Sequence, residues 1–139
     1  MMNTPRPTLV QEIAEAVVSF QRRTTDHAPR AITVVLTQDT LVVLLHEALS
    51  PAEKALSQRP TGVTQVREFH RQLFATASAE LKADIRRITG VEWPQAVAEV
   101  EPMTGDVVQA FTRTAAAQVL RQAVGEVGKS PPVTTHGTQ

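Results

Sequence analysis

Two arginines and a histidine at helical spacing are the residues of this chain best suited to chemistry. Arg67 and Arg71 lie one helical turn apart, so their guanidinium groups could together hold a carboxylate, bicarbonate or phosphate. His70 stands between them in the sequence. These spacings predict a small-molecule or anion site at Arg67, His70 and Arg71. The alternative is two solvated arginines beside a structural histidine.

Catalysis and metal binding have little support from residue types. The chain has four histidines, scattered along its length, and no cysteine, which excludes thiol catalysis and cysteine-ligated zinc. No serine sits in a nucleophile elbow and no glycine-rich phosphate loop occurs. Three or four positions from His70 the sequence offers no carboxylate. We therefore expect no enzyme activity, no catalytic residue, no cofactor and no metal site.

Composition excludes several classes of partner. Lysine plus arginine and aspartate plus glutamate number 14 each, so a net charge of zero gives no broad attraction for nucleic acid or anionic membranes. The longest apolar run, Leu41–Leu45, is far shorter than the ~20 residues of a membrane span. We expect a single-domain, soluble, cytoplasmic protein that neither binds nucleic acid nor inserts into a membrane.

One long amphipathic helix over residues 61–90 should position the candidate site. Thr61 is the predicted N-cap, and Gly90 is the predicted stop, because glycine readily takes the left-handed conformation. At roughly 40 Å the helix is longer than a globule of ~15 Å radius of gyration needs, which leaves surface for a partner. The apolar stripe is Val63, Val66, Leu73, Phe74, Ala77, Leu81, Ile85 and Ile88.

Two shorter helices carry clear start signals. Thr8 and Gln11 have the spacing of a capping box, which predicts a first helix that ends near Arg23. The stretch Ser50–Glu53 combines a serine cap, a proline in the first helical position and a glutamate that can reach back to the cap amide. It predicts a short helix to about Gln58.

Two β-hairpins account for the remaining apolar segments. Residues Ala31–Thr37 and Leu41–His46 are rich in β-branched and aliphatic side chains, which predicts the first hairpin. Residues Val91–Glu101 and Val107–Thr112 predict the second, although 96–100 also fits a helical turn. The expected fold is therefore α+β: a small antiparallel sheet from two β-hairpins, packed by an N-terminal helix and a long central helix, with a C-terminal helix.

The second strand of the first hairpin suggests an assembly. The run Leu41–Leu45 is apolar on both faces, so the chain's own helices or another subunit must cover both. We predict Leu41, Val43, Leu45 and the lone tryptophan, Trp93, as the interface of a homodimer or higher homo-oligomer. The alternative is that helices of one chain cover both faces.

The domain boundaries follow from composition. The α+β domain should span residues 8–113. A helical extension should occupy 114–128, where alanines give a high helix propensity. The segment 129–139 is rich in proline, threonine and glycine and is expected to be disordered.

Four stretches together resemble the MpsC-like family, named for the third component of a Na+-translocating, membrane-potential-generating system. The resemblance covers about residues 8–113 and rests on caps and turns, so it implies a fold and no catalytic residues. It also implies a small soluble accessory protein, linked to a membrane cation or bicarbonate transport system, with a membrane transporter as partner. We therefore predict a non-enzymatic accessory or regulatory protein that acts through self-association and protein binding; the alternative is a small-molecule or anion-binding sensor. The four stretches are Pro29–Leu45, which includes the first hairpin, Leu49–Lys54, Ile88–Val91 and Thr104–Thr112.

Overall fold

The computed structural model describes residues 8–113, which fold as a helix, a hairpin, two further helices and a second hairpin. This confirms the α+β prediction of two hairpins packed by an N-terminal and a long central helix. The predicted helix at 114–128 and tail at 129–139 lie outside the described residues. The elements are α1 Leu9–Thr25, β1 Ala31–Leu36, β2 Thr40–His46, α2 Pro51–Leu56, α3 Pro60–Thr89, β3 Gln95–Glu101 and β4 Asp106–Thr112.

The helix starts follow local side-chain chemistry. The amide of Gln11 donates to the Thr8 hydroxyl at 3.1 Å, and the Thr8 amide donates to the Gln11 side chain at 2.8 Å, which confirms this capping box. The predicted cap at Thr61 is wrong, because α3 has Arg59 in the N-cap position and Pro60 in its first turn. Proline has no amide hydrogen to satisfy, so α3 begins there without a side-chain cap.

The sheet has the antiparallel order β1-β2-β4-β3. Its two hairpins are joined through their second strands, with Thr40 beside Thr112 and Leu45 beside Val107. The segment 95–101 is a strand and not a helical turn, because it pairs with β4 along its whole length. The edges of the sheet are consequently β1 and β3.

Both long helices pack on one face of this sheet. The core between them contains apolar side chains from α1, α3 and all four strands. Five side chains on the opposite face form a separate cluster, to which no residue of α1, α2 or α3 belongs. They are Val42, Leu44, Val97, Val108 and Ala110. Within residues 8–113 no helix has both the length and the apolar composition needed to cross a bilayer.

The side chains predicted to form a subunit interface lie in the core instead. Leu41, Val43 and Leu45 are completely buried on the face of β2 that α1 and α3 cover. Trp93 is only 3% exposed, and its Nε1 donates to the Thr89 hydroxyl at 3.1 Å. The chain's own helices therefore cover this face of β2, which is the alternative prediction for that face. The homo-oligomer itself stays a prediction.

Candidate functional site

A buried histidine–carboxylate pair joins α2 to α3. His70 is 5% exposed, and its Nε2 lies 2.7 Å from Oε2 of Glu53. The other oxygen of Glu53 accepts from the Ser50 amide at 2.9 Å, and the Glu53 amide donates to the Ser50 hydroxyl at 3.2 Å. An ionised carboxylate can only accept, so Nε2 of His70 carries the proton. Glu53 therefore caps α2 and binds it to α3 with the same side chain.

Sequence reasoning identified both partners but did not pair them. It looked for a carboxylate near His70 only on the same helix and assigned Glu53 to the cap of α2. A usable signal existed, because a capping-box glutamate has two oxygens and the cap needs only one. The free oxygen of Glu53 was therefore a candidate acceptor for any donor that the fold brings close.

The pair changes the acidity of Glu53. Burial by itself raises the pKa of Glu53, but the hydrogen bonds from His70 and the Ser50 amide and the charge of His70 together outweigh burial. The pKa of Glu53 therefore lies below its ordinary value of 4.5. Such a carboxylate is held in its ionised form by the folded state.

A pH dependence of stability follows from this shift. Ionised Glu53 contributes stability that is fully present above pH 4.5 and is lost as the pH falls through its lower folded-state pKa. We expect wild type to be more stable than Glu53→Gln at neutral pH, with the gap narrowing in acid. Urea unfolding at neutral pH and in acid measures the difference in the free energy of unfolding between the two proteins. Glu15→Gln, which changes an exposed carboxylate on α1, is the control. A gap that stays constant with pH would contradict the assignment.

An apolar cleft of about 440 Å³ lies beside the pair, between the end of α1, α2 and the first half of α3. Leu56 and Phe69 stand at its rim, 49% and 50% exposed. The Phe69 ring meets the imidazole of His70 edge to face at 5.4 Å, so the cleft and the polar pair are contiguous. The other lining residues are Thr24, Thr25, Ser50, Glu53, Gln65 and Val66.

A glycine sets the distance between α2 and α3. Gly62 is buried in the first turn of α3. A Cβ atom at this position would lie 1.7 Å from the carbonyl oxygen of Leu56, the last residue of α2. The two helices therefore meet through backbone atoms, and only a residue without a side chain fits between them. Because α2 buries none of its own residues, this contact and the Glu53–His70 bond are its principal attachments to α3.

The three residues predicted to bind an anion do not converge. His70 faces α2, whereas Nε and Nη2 of Arg71 donate to the Glu99 carboxylate of β3 at 3.3 and 3.2 Å. Hydrogen bonds to Glu99 and its charge raise the pKa of Arg71. Arg67 is exposed and has no ion pair within residues 8–113. The anion site stays a prediction, and an anion at Arg71 would have to compete with Glu99.

The described part of the chain was also compared with the requirements of a metal site and with known proteins. Between residues 8 and 113 no cluster of three histidine, cysteine, aspartate or glutamate side chains could hold a metal ion. Among known families, a family model described as "Na+-translocating membrane potential-generating system (MpsC)" matches residues 6–114. No curated protein and no solved structure matches the chain. The matched range contains every helix and strand described above.

Proposed function

The chain belongs to the MpsC family, and from that premise we propose that it is a non-enzymatic accessory protein of a membrane system that translocates Na+ and generates a membrane potential. It works in the cytoplasm by associating with itself and by binding a membrane component of that system. The family match over residues 6–114 carries the proposal, because it spans every helix and strand of residues 8–113 and not a local motif.

The state of the polar side chains supports binding over catalysis. His70 is hydrogen-bonded to Glu53, and Arg71 is hydrogen-bonded to Glu99. The side chains best suited to chemistry therefore connect α3 to α2 and to β3. A catalytic site needs an acid, a base or a nucleophile that is free to meet a substrate. The lining residues of the cleft beside His70 do not provide a free acid or nucleophile together with a free base.

Exposed apolar side chains near α2 support a docking surface for the membrane partner. Leu56 and Phe69 flank the cleft, and Met103 is 90% exposed in the turn between β3 and β4. That turn lies beside α2, because a Cβ on Gly105 would come within 3.5 Å of the Lys54 side chain. Large apolar side chains exposed together mark contact surfaces more often than single ones do.

Co-purification tests this function directly. The tagged chain is co-expressed with the membrane subunits of the Na+-translocating system and captured in detergent. We expect the subunits to be retained by wild type and lost with Phe69→Asp, whereas Leu9→Asp, an exposed apolar position at the start of α1, retains them. Vesicles that contain these membrane subunits should also develop a larger Na+-dependent membrane potential when the chain is added than when it is left out. No retention together with an unchanged potential would refute the proposal.

The cleft favours one second candidate, a sensor for small molecules or anions. Its volume of about 440 Å³ lies within the ~300–1,000 Å³ usual for ligand pockets. Thermal-shift screening should then find a ligand that raises the melting temperature. A shift that Gln65→Trp removes assigns the ligand to the cleft, and one that Arg67→Ala removes assigns it to the arginines. A screen without any shift leaves the accessory role as the only candidate.

A further inference from the structure

The outer edge of β3 presents a row of backbone groups directed away from the sheet. The amide of Arg113 donates to the carbonyl of Asp39 on the β2 side at 3.2 Å. Along an antiparallel strand, successive residues form hydrogen bonds to opposite neighbours, so the odd-numbered residues of β4 bond to β2 and the even-numbered residues bond to β3. The register places Ala110 opposite Val97, so odd-numbered residues of β3 bond to β4. The outward-facing amides and carbonyls are therefore those of Ala96, Ala98 and Val100.

These outward groups have no hydrogen-bond partner among residues 8–113. The other edge strand differs, because Val34 of β1 already takes part in a further interaction. An edge strand with unpaired donors and acceptors is a template for another strand. With seven residues, β3 is long enough for stable pairing.

Helix α3 runs beside this edge strand and leaves a groove where the chain enters β3. Arg71 binds Glu99, and further along α3 the Nζ of Lys82 donates to the carbonyl of Pro94 at 3.2 Å, so α3 runs antiparallel to β3. The groove has a volume of about 360 Å³ and lies between α3 and residues 92–94, immediately before β3. Three of its exposed helical positions carry only methyl side chains: Ala75, Ala79 and Ala83.

We propose that β3 pairs antiparallel with β3 of a second copy, with the two-fold axis at Ala98, so that the four strands of each copy form one continuous sheet. The proposal rests on the self-association in the proposed function and names its surface. Ala96 then lies opposite Val100 of the other copy, and on either side of the axis the outward amides of each strand donate to the outward carbonyls of the other. Small side chains at the axis let the two backbones approach.

The charges of β3 fit a second copy of itself in this register. Glu99 lies opposite Val97 of the other copy, and Glu101 lies opposite Gln95, so no two carboxylates face each other directly. Glu99, the carboxylate nearer to the axis, lies on the face opposite α3, so its ion pair with Arg71 passes around the edge of β3 and Arg71 has to move aside when the strands pair. A two-fold pair of identical strands requires each residue to be compatible with the residue at the same distance on the other side of the axis, and β3 meets this requirement about Ala98.

The solution mass of edge variants tests the pairing. Wild type should have twice the chain mass of 15.1 kDa, and Ala98→Pro should have the single mass, because proline removes an outward amide and no bond within the sheet. Ala79→Arg, which fills the groove without touching the strand, should also be monomeric. Thr76→Arg, at an exposed position of α3 outside the groove, introduces the same side chain as a control and should remain a dimer. Circular dichroism verifies that each variant is folded.

Amide hydrogen exchange provides the residue-level readout. We expect the amides of Ala96, Ala98 and Val100 to become protected as protein concentration rises, whereas Val97 and Glu99 are protected throughout. A wild-type dimer that survives both Ala98→Pro and Ala79→Arg, without this alternation, would overturn the β3 surface and leave self-association intact. A wild type that is monomeric at every concentration would overturn both, while co-purification with membrane subunits would still decide the accessory role.

Discussion

Phe74→Ala is expected to lower the free energy of unfolding by about 3–5 kcal/mol, the usual loss for a buried phenylalanine. Phe74 is 6% exposed, and its ring meets Phe20 of α1 at 6.2 Å and Phe111 of β4 at 6.0 Å, both edge to face. The substitution therefore opens a cavity where α1, α3 and β4 meet. Because a small domain has only about 5–15 kcal/mol of stability, this one change should remove a large part of it.

Phe69→Ala is the matched control for this experiment. It makes the same substitution on the same helix, but Phe69 is 50% exposed, so we expect a loss of less than about 1 kcal/mol. Urea unfolding followed by far-ultraviolet circular dichroism measures both variants. Equal losses for the two phenylalanines would mean that α3 packs on the sheet through a different face from the one described.

Gly62→Ala should destabilise the protein by about 1–3 kcal/mol or more, the range for overpacked sites. Within a helix this substitution normally stabilises by about 0.8–1.0 kcal/mol, so the expected sign is reversed. The reason is the close approach of α2, since the new Cβ would stand 1.7 Å from the carbonyl oxygen of Leu56. A backbone atom cannot rotate away as a side chain can. The expected response is therefore displacement of α2, which also breaks the Glu53–His70 bond.

Thermal unfolding of Gly62→Ala and Thr61→Ala separates this clash from a general effect at the start of α3. Thr61 is exposed and makes no side-chain hydrogen bond within residues 8–113, so its replacement should change stability by no more than about 0.5 kcal/mol. An N-cap threonine would instead cost about 1 kcal/mol. A stabilised Gly62→Ala protein would show that α2 does not rest against α3 at this point.

The helices and their ends were predictable from the sequence because their causes are local. The cap of α1 joins Thr8 to Gln11, and the cap of α2 joins Ser50 to Glu53, each across three residues. The stop at Gly90 needs only a residue that tolerates a positive φ, here 75°. The error at Thr61 was also local: a good capping residue lay near a proline, and the proline decided where α3 begins.

The order of the strands was not predictable in this way. An apolar run such as Leu41–Leu45 shows that both faces of a strand are covered, but a hydrophobic pattern does not identify what covers them. Pairing of β2 with β4 makes β2 an inner strand. Packing of α1 and α3 on one face of the sheet then buries Leu41, Val43 and Leu45. The same pairing leaves β3 at an edge, which its own residues do not reveal.

The sequence by itself determined most of the helices and strands, because hydrophobic period, caps and turns act over a few neighbouring residues; for residues 96–100 it left a strand and a helical turn open, and pairing with β4 decided. Only the tertiary structure decided which side chains meet. The bond between Glu53 and His70 spans 17 positions, and the bond between Arg71 and Glu99 spans 28. Such contacts depend on how whole elements pack, and packing is governed by the shape and burial of many side chains together.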